Sequence, residues 1–132
     1  MEIRYAVNPH DFKQYSTEKI RQEFLISDLF TPGKIKMVYS HEDRIIVGGV
    51  CPLEAISLEA GKEIGAEYFL ARREMGIINI GGKGKVTTED GEYILEKKDG
   101  LYIGKGIRKV EFSSVDNNNP AKFYFNSGPA HK

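Results

Sequence analysis

The sequence predicts an all-β protein, a barrel or sandwich of short, mostly antiparallel strands with one short helix near the N-terminus. Three observations carry this. Fourteen glycines, seven tyrosines and seven phenylalanines are set among short β-branched stretches, turn signals recur at close spacing, and helical spacing stands out only early in the chain. Aromatic and branched side chains fit a pleated, half-buried surface, and a barrel or sandwich is how a mostly antiparallel sheet buries one face. With 132 residues, 40% of them hydrophobic, the chain is expected to form one core and one domain over residues 1–132.

The helix is expected over Thr17–Leu25. Ser16 or Thr17 can cap its free amides, Glu18 suits the positive end, and Ile20 and Phe24 share a face at i,i+4. Thr31-Pro32-Gly33 reads as a turn, because proline presets φ at the first central position and glycine accepts positive φ at the next. About nine strands follow, near Ile35–Ser40, Arg44–Val50, Glu67–Arg73, Met75–Ile80, Lys85–Thr88, Glu92–Leu95, Leu101–Ile103, Lys109–Val115 and Lys122–Asn126. Glu89-Asp90-Gly91 is a hairpin connection, where Asp-Gly tolerates left-handed backbone. Asn117-Asn118-Asn119-Pro120 is a loop whose asparagines can bond their own backbone. The sequence shows no internal repeat.

Charge and cysteine content narrow the partners. Nineteen basic residues balance nineteen acidic ones, so the chain lacks the positive footprint that nucleic acid or an anionic membrane surface requires. Cys51 is the single cysteine, and it cannot close an intramolecular disulfide; it reads as a small buried residue. Met1-Glu2-Ile3-Arg4-Tyr5 does not lead into an apolar signal core, and runs such as Ile45-Ile46-Val47 are far short of a membrane span. A soluble, cytoplasmic protein is the expectation.

Few local motifs carry chemistry. Gly81-Gly82-Lys83-Gly84-Lys85 lacks the earlier glycine and the following Ser/Thr of a phosphate loop, with Ile77 where that glycine would stand, and reads as a tight turn. His10, His41 and His131 form no local pair, so a metal site would have to be assembled from distant segments. In Arg72-Arg73-Glu74, strand alternation sends Arg72 and Glu74 to one face and Arg73 to the other. An arginine aimed into a cavity can grip a carboxylate through its bidentate fork, whereas on the solvent face it only joins an exposed ion pair.

Two segments resemble cupin motifs. Glu74 to Gly81 is similar to the tail of the first motif, and Asp99 to Lys109 to the second, which carries a Pro-x-Gly-like turn before a ligand histidine. The spacing agrees and the ligands do not: Tyr68-Phe69-Leu70 stands where His-x-His would, Lys109 where the last histidine would, and Gly104 replaces the usual proline. Tyrosine and leucine are poor replacements for imidazole, and an ammonium repels a cation.

Nearly the whole chain resembles the N-terminal half of the 5-keto-4-deoxyuronate isomerase family. The carrying segments are Met37-Val38-Tyr39-Ser40-His41 with Asp43 to Gly49, Tyr68-Phe69-Leu70 with Arg72-Arg73-Glu74, Ile78 to Gly82, Leu101-Tyr102 with Gly104-Lys105-Gly106, and Pro120 to Tyr124. The resemblance implies a double-stranded β-helix, cupin-like jelly-roll barrel. It also implies a second barrel beyond this chain that holds zinc through three histidines and a glutamate, and assembly as a homohexamer. Zinc is therefore not expected to bind this chain, which would be a piece of a longer protein or an incomplete gene product.

The reaction so implied interconverts a keto-aldehyde uronate and its diketo isomer in the breakdown of pectin-derived uronates. It is an intramolecular oxidoreduction through an enediol-like state that a divalent metal stabilises. No catalytic residue is carried over, and the candidates are Glu74 and Tyr102 as proton shuttles and Arg72, Arg73 and Lys109 as holders of a uronate carboxylate. Two further expectations are a small uronate-binding module and an assembly domain. In the latter Phe123-Tyr124-Phe125 would meet a neighbouring barrel, with alternation putting both phenylalanines on one face.

Overall fold

The computed structural model describes residues 1–131. In chain order the elements are β1 (Glu2–Arg4), α1 (Pro9–Phe12), α2 (Thr17–Phe24), β2 (Ile35–Ser40), β3 (Ile46–Val50), β4 (Ile56–Ser57), β5 (Arg73–Asn79), β6 (Gly84–Thr88), β7 (Gly91–Leu95), β8 (Gly100–Ile103), β9 (Val110–Ser114) and β10 (Phe123–Pro129). They form a six-stranded sheet in the order β1-β2-β3-β10-β5-β8 and a four-stranded sheet in the order β4-β9-β6-β7. β1 pairs parallel with β2, and the other strand ladders are antiparallel. Among the described residues no ladder joins one sheet to the other, so the jelly roll is an open sandwich rather than a closed barrel.

Local chemistry accounts for most boundaries. The Ser16 Oγ accepts from the Lys19 N–H at 3.1 Å and Leu25 is the C-cap, as the helix over Thr17–Leu25 requires. Gly33 has φ +79° after Pro32, and the Lys34 N–H reaches the Thr31 carbonyl at 3.1 Å, which makes this a type II turn. The β6–β7 hairpin forms at Glu89-Asp90, but without a left-handed residue at either position. The Thr88 hydroxyl accepts the Asp90 N–H at 3.1 Å and tightens the turn instead. Gly81 and Gly82 serve close approach: a Cβ on Gly82 would lie 2.0 Å from the Asn119 carbonyl oxygen.

Four expectations need correction. A second helix, α1, precedes the expected one, begun by Asn8, whose side chain accepts the His10 N–H at 2.8 Å, and by Pro9 in the first turn. β1 and β4, of three and two residues, are too short to show a period of two. Finally, residues 67–72 are not a strand. Phe69 and Leu70 are both buried, which one-face burial of a strand forbids, and the Ala71 N–H closes a turn onto the Tyr68 carbonyl at 3.2 Å.

The core lies between the sheets and is aromatic. Phe112, Phe123 and Phe125 are fully buried, with Phe112 5.3 Å from Phe123 and 6.3 Å from Phe125 between ring centroids, and Phe69 edge-on to Phe125 at 6.2 Å. Tyr124 alternates outward and is half-buried. Gly48 makes room for this packing, since a Cβ there would stand 2.1 Å from the Phe125 ring. Cys51 is buried and free. No helix of the described residues is long and apolar enough to cross a membrane.

Candidate functional site

β5 decides where the charged candidates point. Its residues alternate, with Arg73, Met75, Ile77 and Asn79 buried between the sheets and Glu74, Gly76 and Ile78 on the outer face. Glu74 therefore faces away from the interior. The β5–β8 register sets Tyr102 opposite Gly76, one diagonal step from Glu74, and the Tyr102 hydroxyl donates to Glu74 Oε2 at 2.8 Å. The hydrogen bond and the carboxylate charge favour the neutral phenol, so the Tyr102 pKa rises above its ordinary value. The pair is exposed, Tyr102 by 66%.

Arg73 is the inward member, 6% exposed. Its Nε donates to Ser127 Oγ at 3.2 Å and its Nη2 to the Ser127 carbonyl at 2.8 Å and to the Arg44 carbonyl. The Ser127 hydroxyl donates in turn to the Glu74 carbonyl at 2.6 Å. The guanidinium also stands 5.9 Å from the Tyr39 ring. Its partners are neutral, and burial pulls its pKa below the ordinary value. It ties β10, β5 and the turn before β3 together at one end of the sandwich.

Arg72 and Lys109 remain exposed. Lys109 Nζ lies 3.9 Å from Glu111, and no hydrogen bond or ion pair joins it to Arg72 or Arg73 among the described residues. Its backbone is the better-anchored part: the Glu89 carboxylate accepts the Arg108 N–H at 2.8 Å and the Lys109 N–H at 3.0 Å, which holds the Glu89 pKa below the usual carboxylate range. Arg108 lies over the Tyr68 ring at 4.8 Å.

The five candidates thus separate into an outer pair, an interior clamp and two solvent cations. At the cupin-like positions, Tyr68 is half-buried, Phe69 and Leu70 are in the core, Glu74 is outside and Lys109 is in solvent. This donor set does not fit a divalent metal, and the described residues contain no cluster of three or more His, Cys, Asp or Glu that would hold one. The space between the sheets is filled by an apolar cluster in which the rings of Phe69, Phe112, Phe123 and Phe125 pack with aliphatic side chains such as Ile46, Leu70 and Ile77.

Sequence reasoning missed Ser127, Glu89 and Arg108. Ser127 follows Phe123 and Phe125 at period two, a signal that places it inward. The roles of Glu89 and Arg108 rest on loops meeting 19 residues apart and had no local signal.

A model of the KduI/IolB family matches residues 24–132. The chain is 58% identical to 4-deoxy-L-threo-5-hexosulose-uronate ketol-isomerases of Lachnoclostridium phytofermentans and Caldicellulosiruptor bescii, over 99% and 100% of its own length and 48% of theirs. It spans about half the length of the curated relatives it matches. Among solved structures it is similar to the Cupin_2 domain of an XRE family transcriptional regulator from Enterobacter cloacae, with TM-score 0.54 and 10% identity over 74% of this chain and 97% of that one. At that identity the likeness shows the fold, a cupin jelly roll.

Proposed function

The chain belongs to the KduI/IolB family, and from that membership we propose that it is the first barrel of a ketol-isomerase acting on 4-deoxy-L-threo-5-hexosulose uronate. The intact enzyme interconverts this keto-aldehyde and 3-deoxy-D-glycero-2,5-hexodiulosonate in cytoplasmic uronate degradation. This chain supplies one structural jelly-roll domain that does not turn over substrate by itself, and zinc is held by the second domain. The two barrels pack together and the protein assembles with further copies of itself.

The observation that supports this division is the filled interior. Phe69, Phe112, Phe123 and Phe125 lie in the packed core between the sheets, and Glu74 turns to the outer face, so among the described residues the interior presents no charged or metal-ligating pair to a substrate. A barrel packed in this way contributes rigidity and surface.

The test is an isomerisation assay, with elemental zinc, on the purified chain alone and on the same chain extended by the second half of a family member. Turnover and zinc only in the extended protein is the expected result. Turnover by residues 1–132 alone would overturn the reading.

A second reading, a uronate-binding module, draws on the exposed cations Arg72 and Lys109, since Arg73 is committed to Ser127 and the Arg44 carbonyl. Calorimetric titration with galacturonate tests it, and absence of heat at millimolar sugar removes it.

A further inference from the structure

The outer edge of the larger sheet holds an unused pairing surface. β1 spends one side on β2: the Arg4 carbonyl accepts the His41 N–H at 2.9 Å. The N–H and C=O of one strand residue point to the same side, and the side alternates along the strand. Glu2 and Arg4 therefore direct their backbone groups at β2, and Ile3 directs its own away from the sheet. A groove of about 650 Å³ borders this strand, walled on the other side by Asp11, Tyr15 and Gln22. Ile3 is 39% exposed and Tyr5 69%. Neither helix buries a residue, so Phe12 and Phe24 add exposed apolar surface nearby.

Glu2-Ile3-Arg4 is self-complementary under a two-fold rotation. Glu2 and Arg4 share one face, on either side of Ile3. Antiparallel pairing of two such strands centred on Ile3 sets each Glu2 against the Arg4 of the other, with Cβ atoms about 4.5–5.5 Å apart. We propose that β1 pairs antiparallel with β1 of a second copy of this chain about a two-fold axis at Ile3, so that the two larger sheets become continuous. The two Ile3 residues exchange both backbone hydrogen bonds at the centre. Each Arg4, already 2.6 Å from its own Glu2, gains a second carboxylate. Like charges directly opposite across a sheet are destabilising, which gives the pairing its specificity.

This surface deepens the self-assembly part of the proposed function and rests on it. Sedimentation velocity on the chain is expected to show a dimer. Ile3→Pro removes only the N–H that faces away from β2, and is expected to halve the mass while leaving the circular dichroism melt in place. Glu2→Arg and Arg4→Glu are each expected to be monomeric alone, because their copies oppose like charges, and to form a heterodimer when mixed. Loss of the Glu2–Arg4 pair within one strand cannot produce that rescue. A monomeric native chain would overturn this surface and leave self-assembly of the intact protein through its other half untouched. An oligomer unchanged by Ile3→Pro and by both charge reversals would overturn the β1 pairing alone.

Discussion

The Tyr102 hydroxyl donates to the Glu74 carboxylate across one diagonal of the β5–β8 ladder, on the face of the sheet turned away from the core. One residue earlier on the same strand, Arg73 points between the sheets. Adjacent charged residues are thereby committed to opposite sides of one layer, and neither is free to approach the other's surroundings.

The first prediction concerns that phenol. Its raised pKa means that the bond to Glu74 stabilises the folded state fully below pH about 10, and that this contribution is lost as pH rises through the higher folded pKa. Glu74→Gln is expected to bring the Tyr102 titration down toward the ordinary value, read by absorbance of the phenolate. An unchanged alkaline titration would refute the pairing.

Arg73 gives the second. Arg73→Ala leaves the Ser127 and Arg44 carbonyls without their donor and opens a void between β10 and β5. A loss of about 2–4 kcal/mol in urea unfolding is expected, since unsatisfied buried groups cost about 1–3 kcal/mol each. Arg72→Ala, at an exposed site, is expected to leave stability almost unchanged.

Aromatic packing gives the third. A methyl group at Gly48 would collide with the Phe125 ring. Gly48→Ala is expected to cost about 1–3 kcal/mol by overpacking, and Phe125→Ala about 3–5 kcal/mol by cavity formation. If the double substitution costs less than the sum of the two, the residues are in direct conflict, as the packing requires.

The fourth is a pH dependence at the acid end. Glu89 has its pKa depressed by the Arg108 and Lys109 amides. Its stabilisation is present above the unfolded carboxylate value, about 4.3, and is lost as pH falls through the lower folded value. Glu89→Gln is expected to flatten the fall in Tm below pH 4.5, and an identical acid profile would show that the amide bonds do not form.

How much of this was legible beforehand differs by length scale. Thr17–Leu25, the Pro32-Gly33 turn and the inward set of Phe123 and Phe125 depend on side-chain period and on residues with restricted φ, and the Glu89-Asp90 hairpin on the Thr88 hydroxyl beside it, all properties of the local chain. The separation of Arg73 from Glu74 was likewise written in the alternation of β5.

Other features were decided only by segments meeting in space. β1 and β4 are strands because longer neighbours accept their backbone groups. Residues 67–72 abandon extended structure because Phe69 and Leu70 both find room in the core. Tyr102 meets Glu74 through register, and Arg73 is satisfied by carbonyls 29 and 54 residues away. The sequence alone determined the period, turns and apolar faces that select a jelly roll. The tertiary structure decided which charges are buried, paired or left in solvent, because those outcomes depend on long-range packing and hydrogen bonding that no local window contains.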